Sequence, residues 1–172
     1  AQVNEEELIE FKLSEVPVEN NPDFIEQIAQ VSNLLKEAKR PMLLAGHGVK
    51  LAGAANEFLK LAEKHQVPLT TSWNADDIVN FDHDLFIGRP GAFAARGVNF
   101  AIQNADLLIS IGSRLPFMIT GYNSKDFARN ARVVMVDIDQ TELDKSCLNI
   151  FCKVRSDAND FLVALNQQLS KD

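Results

Sequence analysis

Three short segments of this chain are apolar on both faces of an extended strand. They are Met42 to Gly46, Leu107 to Gly112 and Val133 to Ile138. Strands of this kind, which lack alternating polar residues, belong in a parallel sheet that helices cover on both sides. Segments with apolar residues every three or four positions, such as 24–38 and 55–65, predict those helices. The pattern therefore predicts an α/β fold, a doubly wound three-layer sandwich with right-handed crossovers.

Three further segments extend the predicted sheet to six parallel strands. They read VPLTTS (67–72), DLFIGRPG (84–91) and CKVRS (152–156), and the second is predicted to be a short strand that ends in a turn. The pair Asn21-Pro22 predicts the start of the first helix, because Asn is a capping residue and Pro is tolerated at the first helical position. We therefore expect one domain over residues 22–172.

Residues 1–21 have no clear hydrophobic period and mix acidic residues with Val-Pro and Asn-Asn-Pro. Such a segment is typical of a linker, or of an arm from a preceding domain. The net charge of −7 argues against a nucleic-acid partner or an anionic membrane surface. No apolar run reaches the roughly 18 residues that a membrane span needs, and two cysteines do not form a disulfide scaffold. We expect a cytoplasmic protein with no membrane partner.

Residues that could contact a nucleotide follow each predicted strand. In a doubly wound sheet, ligands bind at the carboxyl ends of the strands. Glycines there let backbone N–H groups approach phosphate, and arginine can donate two parallel hydrogen bonds to phosphate. An acidic residue at a strand end accepts hydrogen bonds from ribose hydroxyls. The strand-end groups are Gly46-His47-Gly48, Thr71-Ser72-Trp73, Gly88 to Gly91, Gly112-Ser113-Arg114, Asp137-Ile138-Asp139 and Ser156-Asp157. Their convergence favours a ligand site, and each one alone has a structural alternative as a turn, a cap or a surface ion pair.

The first glycine loop has an unusual spacing. Gly46, Gly48 and Gly53 read G-x-G-x-x-x-x-G, two residues longer than the dinucleotide fingerprint G-x-G-x-x-G. The loop is therefore either a nucleotide loop of another form or only a tight turn. No histidine, cysteine or serine stands in a recognised catalytic or metal-binding pattern, so we expect neither a catalytic residue nor a metal ligand here.

Several segments together resemble the central domain of thiamine-diphosphate-dependent enzymes of the acetolactate synthase type. They are AKRPMLLAGHGV with the following Gly53-Ala54, VPLTTSWNADDI, GRPGAFAARGVNFAIQNADLLISIGSRL, TGY and VVMVDIDQTELDK. The resemblance runs from about Pro22 to the end of the chain. It implies a Rossmann-like domain with the DHS-like NAD/FAD-binding topology, and it implies that the longer glycine spacing is the form this domain uses.

The resemblance also implies a parent enzyme that is a transferase or lyase, a carboligase or decarboxylase of 2-oxo acids. Thiamine diphosphate and Mg would bind in its pyrimidine-binding and pyrophosphate-binding domains, and the parent would be a homo-oligomer, a dimer or tetramer. This chain has no Gly-Asp-Gly motif for the metal, so it would not be catalytic by itself. It would hold FAD or ADP. By motif, the cofactor-binding positions are Gly46, His47, Gly48, Thr71, Gly91, Arg114, Asp137, Ile138 and Asp157.

Two alternatives remain beside that interpretation. The chain could be a free-standing NAD-binding domain, because a glycine loop and a strand-end acid such as Asp137 serve that function as well. It could also be a ligand-free structural spacer, because a fold does not by itself imply a function.

Overall fold

The computed structural model describes residues 21–171. Within this range the strands are β1 (Pro41–Ala45), β2 (Leu69–Thr71), β3 (Leu107–Ile111), β4 (Arg132–Asp137) and β5 (Cys152–Arg155). The helices are α1 (Phe24–Glu37), α2 (His47–Leu51), α3 (Ala55–His65), α4 (Arg96–Asn104), α5 (Phe117–Thr120), α6 (Gln140–Leu143) and α7 (Ala158–Lys171). Single 3-10 turns cover Trp73–Ala75 and Ser124–Asp126. No helix within residues 21–171 is long and apolar enough to cross a membrane.

The strands form one parallel sheet in the order β2-β1-β3-β4-β5. In its register Leu43 of β1 lies opposite Leu69 of β2 on one side and Ile109 of β3 on the other. The chain therefore places β2 on one side of β1 and then returns to place β3, β4 and β5 in succession on the other side. The point between β1 and β3 is the topological switch point, where ligands of doubly wound sheets bind.

Alternate residues of the strands point into two separate cores. On one face, Leu43 and Ile109 pack in a cluster with side chains of α1, α3 and α7, including the fully buried Phe58 and Phe161. On the other face, Leu44 belongs to a second hydrophobic cluster, which includes side chains of α4, α5 and α6. Both faces of the sheet are thus covered, which confirms the three-layer parallel architecture predicted from the apolar strands.

The prediction of six strands is wrong, because the segment 84–91 forms only a single bridge beside β2. Phe86 pairs with Leu69, and the amide of Ile87 donates to the Leu69 carbonyl at 3.0 Å. The ladder ends there because Gly88 turns the chain away with φ +104°, a conformation that residues with side chains rarely adopt. The Thr70 hydroxyl then donates to the Gly88 carbonyl at 2.5 Å, in place of a strand partner.

The start of the first helix also differs from the prediction. Helix α1 begins at Phe24 rather than at Pro22. The Asn21 side chain accepts a hydrogen bond from the Asp23 amide at 3.1 Å and donates to the Arg155 carbonyl at 3.1 Å. Gln27 donates in the same way to the Lys153 carbonyl at 3.0 Å, so side-chain amides occupy the outer edge of β5. The predicted arm at residues 1–21 lies almost entirely outside the described residues.

Candidate functional site

Two glycine loops touch at the switch point. The Gly46 amide donates to the Ile111 carbonyl at 2.8 Å, and the Gly48 amide donates to the Gly112 carbonyl at 2.9 Å. A Cβ atom at Gly46 would lie 2.2 Å from the Gly112 carbonyl oxygen, and one at Gly48 would lie 2.8 Å from the Gly112 Cα. Real Cβ atoms do not approach backbone this closely. These glycines therefore let the loops that follow β1 and β3 pack backbone against backbone.

The third glycine of the spacing has a different role. Gly53 has φ +65° and no atom within 4 Å of a Cβ placed on it. It follows the short helix α2, which begins at His47 directly after β1. A left-handed residue after a helix is most easily a glycine. The extra residues in G-x-G-x-x-x-x-G are thus a turn of helix, which the sequence pattern alone did not show.

A cavity of about 840 Å³ opens at the carboxyl edge of the sheet, beside the two loops. Pockets for small molecules commonly measure about 300–1,000 Å³, so this one has room for a nucleotide. Residues at or after the ends of all five described strands line it. They are His47, Gly48, Leu51, Ala52, Ser72, Trp73, Asn74, Gly112, Ser113, Arg114, Pro116, Met118, Ile119, Val136, Asp137, Ile138, Ser156, Asp157 and Ala158.

Most of the positions predicted from the resemblance lie in this lining, and three do not. Those that line the cavity are His47, Gly48, Arg114, Asp137, Ile138 and Asp157. Gly46 lies against the second glycine loop. Thr71 is fully buried at the end of β2, and its Oγ1 has no hydrogen-bond partner among the described residues. Gly91 is held by the Asn99 side chain, which accepts from its amide at 3.0 Å and donates to its carbonyl at 2.9 Å.

Asp137 is the buried carboxylate of the cavity. It ends β4, is only 7% exposed, and accepts a hydrogen bond from the Asp139 amide at 3.1 Å. Burial raises the pKa of Asp137 above its ordinary value, although that amide and the charge of Arg114 act in the opposite direction. A desolvated carboxylate with one cation nearby is a strong acceptor for ligand hydroxyl groups.

Arg114 stands on an unusual stretch of backbone. Arg114 has φ +56° and the following Leu115 has φ +44°, so two consecutive residues with side chains are left-handed. Leu115 is 3% exposed in the core, and the Lys145 ammonium donates to the Arg114 carbonyl at 3.0 Å. Strained backbone of this kind persists where surrounding contacts hold it, and it clusters at ligand sites. The contacts hold Arg114 at the rim of the cavity.

Asp157 has a structural role that accounts for its place after β5. One of its carboxylate oxygens accepts from the Asn159 amide at 2.8 Å, in the first turn of α7. This is the geometry of a helix cap, which typically stabilises a helix by about 1 kcal/mol. Its presence in the lining therefore does not require a ligand.

His47 anchors α2 to the loop that follows β2. Its Nδ1 lies 2.7 Å from the Asn74 carbonyl oxygen, and Lys50 on the same helix pairs with Asp77 of that loop. Trp73, between Thr71 and Asn74, also lines the cavity, is 46% exposed, and packs edge-on against Phe93 with ring centroids 6.3 Å apart. Trp73 belongs to the strand-end groups predicted from the sequence, but it was absent from the nine positions carried over by motif.

Sheet order, paired glycine loops and a cavity at the switch point define a Rossmann-like α/β domain. A sequence model of the family described as "Thiamine pyrophosphate enzyme, central domain" matches residues 28–165. The chain belongs to this family, which confirms the resemblance found in the sequence. Within residues 21–171 no group of three or more His, Cys, Asp or Glu side chains could hold a metal ion.

The chain is similar to parts of several larger proteins. It is 37% identical over 143 residues to a probable acetolactate synthase large subunit of Methanococcus aeolicus, covering 83% of this chain and 24% of that protein. It is 32% identical over 155 residues to the acetolactate synthase isozyme 2 large subunit of Escherichia coli, covering 90% and 28%. A Corynebacterium glutamicum acetolactate synthase large subunit is 38% identical over 119 residues, covering 69% and 19%. The chain thus spans about a quarter of the length of these relatives.

Proposed function

We propose that this chain is the central domain of a thiamine-diphosphate-dependent enzyme of the acetolactate synthase type, and that it binds FAD or ADP without being catalytic itself. The observation that carries the nucleotide proposal is the cavity at the switch point. It brings the cation of Arg114, the buried carboxylate of Asp137 and the ring of Trp73 together in one lining. These are the groups that phosphates, ribose hydroxyls and an aromatic base require.

Each part of the ligand has a candidate partner. Arg114 would bind phosphate, Asp137 would accept hydrogen bonds from the ribose, and Trp73 with the 66% exposed Ile138 would contact flat rings. Thr71, whose buried Oγ1 has no partner within the described residues, stays a candidate of the same proposal. FAD brings a redox-active ring when it is bound, whereas ADP brings none. In both cases these side chains bind and orient the nucleotide.

The proposal for the parent enzyme rests on the family and on the names of the relatives. Thiamine diphosphate and Mg would bind in flanking pyrimidine-binding and pyrophosphate-binding domains, and the substrates would be 2-oxo acids. The parent would be a cytoplasmic homo-oligomer, a dimer or tetramer. This domain would position those two flanking domains. We propose the DHS-like topology of this domain on the same grounds.

One observation favours the ligand-free spacer as the second candidate. The amides of Gly46, Gly48 and Val49 all donate to protein carbonyls, at 2.8, 2.9 and 3.1 Å. They do not form the open cradle of N–H groups that phosphate loops present. No observation of this kind favours the free-standing NAD-binding domain. NAD is therefore included in the test as a third ligand, for comparison.

The test is a titration of the 172-residue chain with ADP, FAD and NAD by calorimetry. ADP binding can also be followed by fluorescence, because the chain has a single tryptophan and Trp73 lines the cavity. We expect ADP and FAD to bind and ADP to change the Trp73 emission. The matched control for Arg114→Ala is Arg89→Ala, since Arg89 pairs with Asp76 at 3.4 Å outside the lining. Binding of NAD alone would favour the free-standing domain, and binding of none would favour the spacer.

A further inference from the structure

The cavity has too little positive charge for a diphosphate. Among the described residues that line it, Arg114 is the single permanently charged cation, and Asp137 and Asp157 are carboxylates. The Gly46, Gly48 and Val49 amides of the first glycine loop are already bonded to protein carbonyls. Helix α2 has only five residues, so its dipole contributes little. The longer helix α7 also begins at the cavity, but the Asp157 carboxylate caps its first turn and offsets its positive end. A phosphate group entering this cavity therefore needs another donor with positive charge.

His47 is the lining residue that can become that donor. A carbonyl oxygen only accepts hydrogen bonds, so the contact of Nδ1 with the Asn74 carbonyl at 2.7 Å requires a proton on Nδ1. The neutral ring then has its lone pair on Nε2, which has no hydrogen-bond partner among the described residues. Protonation turns Nε2 into a cationic donor and leaves the bond to Asn74 intact. The ring can therefore change its charge without changing its position.

The charged groups around His47 come from every element near it. Lys50 of α2 and Asp77 of the loop after β2 form an ion pair with each other. Across the cavity lie Arg114 after β3, Asp137 at the end of β4 and Asp157 at the start of α7. Lys50 is thus offset by Asp77, and the remaining groups sum to one negative charge. A protonated His47 would bring the sum of these protein charges to neutrality.

We propose that His47 is an anion-binding residue of this cavity, and that its Nε2 takes up a proton when the diphosphate of a nucleotide binds. The inference rests on the proposed nucleotide site and adds the chemistry by which that site accepts phosphate. The proton comes from solvent, and the imidazolium then donates its Nε2–H to a phosphate oxygen. No covalent bond of the ligand forms or breaks.

The test measures ADP binding to the 172-residue chain between pH 6 and pH 8, in PIPES and in Tris. The two buffers differ in ionisation enthalpy, so the difference in observed heat counts the protons taken up. We expect up to one proton per ADP and an affinity that falls with rising pH, by at most about tenfold per pH unit for one proton. Adenosine, which lacks phosphate, should bind without proton uptake.

Two histidine variants separate this inference from a general pH effect. His47→Gln keeps an amide that can donate to the Asn74 carbonyl, and it should bind ADP with less proton uptake and a weaker pH dependence than the wild type, because only the ADP phosphate and the other groups of the cavity then titrate. His83→Gln is the matched control, because His83 pairs with Glu63 at 3.1 Å outside the cavity lining. It should retain the wild-type proton uptake. Nitrogen-detected NMR of His47 should show the Nδ1–H tautomer without ligand and a doubly protonated ring with ADP.

The outcomes distinguish the two proposals. Proton uptake that is as large in His47→Gln as in the wild type, or a pH dependence of ADP affinity that is the same in both, overturns the role of His47 and leaves the nucleotide site standing. An Nε2–H tautomer in the free protein also overturns it. If ADP does not bind the wild-type chain at pH 6, the nucleotide site itself is wrong, and the role of His47 falls with it.

Discussion

Replacing Gly46 with alanine tests the contact between the two glycine loops. Gly46 has φ −100° and ψ −179°, which any residue adopts, so the substitution adds no backbone strain. It adds only a Cβ atom that would lie 2.2 Å from both the Gly112 carbonyl oxygen and the Ser113 Cα. Both neighbours are backbone atoms, so no side-chain rotation relieves the overlap. The loops must separate for the methyl group to fit.

The expected loss of stability follows from what this separation breaks. The hydrogen bonds from the Gly46 amide to Ile111 and from the Gly48 amide to Gly112 are at stake, each about 1 kcal/mol net. Repacking around an added group costs about 1–3 kcal/mol. We therefore expect Gly46→Ala to lower the free energy of unfolding by about 3–5 kcal/mol. For a domain of this size that is a fall in Tm of about 6–20 °C.

Urea denaturation followed by circular dichroism measures this change. The matched control is Gly97→Ala, because Gly97 lies in α4 with no atom within 4 Å of an added Cβ. We expect that control to be more stable than the wild type by about 0.5–1 kcal/mol, since alanine favours a helix. If the free energy of unfolding of Gly46→Ala lies within about 1 kcal/mol of the wild-type value, then the loops separate easily and the reasoning from their contact is wrong.

Three other substitutions make further tests. Arg114→Ala should weaken ADP binding by about 1–3 kcal/mol, the scale of a charged hydrogen bond, and calorimetry that shows unchanged affinity contradicts its role. Asp137→Asn should raise the free energy of unfolding at pH 7 and weaken ADP binding. Burial raises the folded-state pKa of Asp137, so the wild type loses stability as pH rises from 3.8 through that raised pKa. Unfolding at pH 3 should therefore differ little between the two proteins. Burial acts to raise the pKa of Asp106, but hydrogen bonds from the Lys39 and Arg40 amides outweigh it and leave the pKa below its ordinary value. Its contribution is present above pH 3.8 and is lost as pH falls through the lowered folded pKa, so Asp106→Asn should flatten the acid side of the stability profile.

The parallel sheet and its two covering layers were predictable from the sequence alone. Runs such as Leu107 to Ile111, which are apolar except for Ser110, have no polar face to present to water, so a strand of this kind is buried on both sides. The place of the cavity was predictable as well. The carboxyl ends of parallel strands share one edge, so residues after different strands, such as Arg114 and Asp137, had to come close together.

Other features depended on contacts between residues far apart in the chain. The sequence left the loop at Gly46 open as a nucleotide loop or a tight turn, and the packing of Gly46 against Gly112 is visible only once β1 and β3 lie side by side. The segment 84–91 has the composition of a strand, but the turn at Gly88 ends its pairing after one bridge. Trp73 lies in a 3-10 turn that lines the cavity, and no hydrophobic period in the sequence predicts that turn.

Local pattern therefore determined which segments are strands and helices, because each segment's own apolar surface requires burial. It also determined which residues stand at the strand ends. Only the tertiary structure decided which of those residues bond to other parts of the protein and which line the cavity. Asp157 caps a helix, whereas Asp137 accepts one hydrogen bond from the Asp139 amide and lines the cavity. The amides of Gly46 and Gly48 bond to the neighbouring strand and loop. The reason is physical: hydrogen-bond partners and close contacts are set by distances across the sheet, and a linear sequence does not contain those distances.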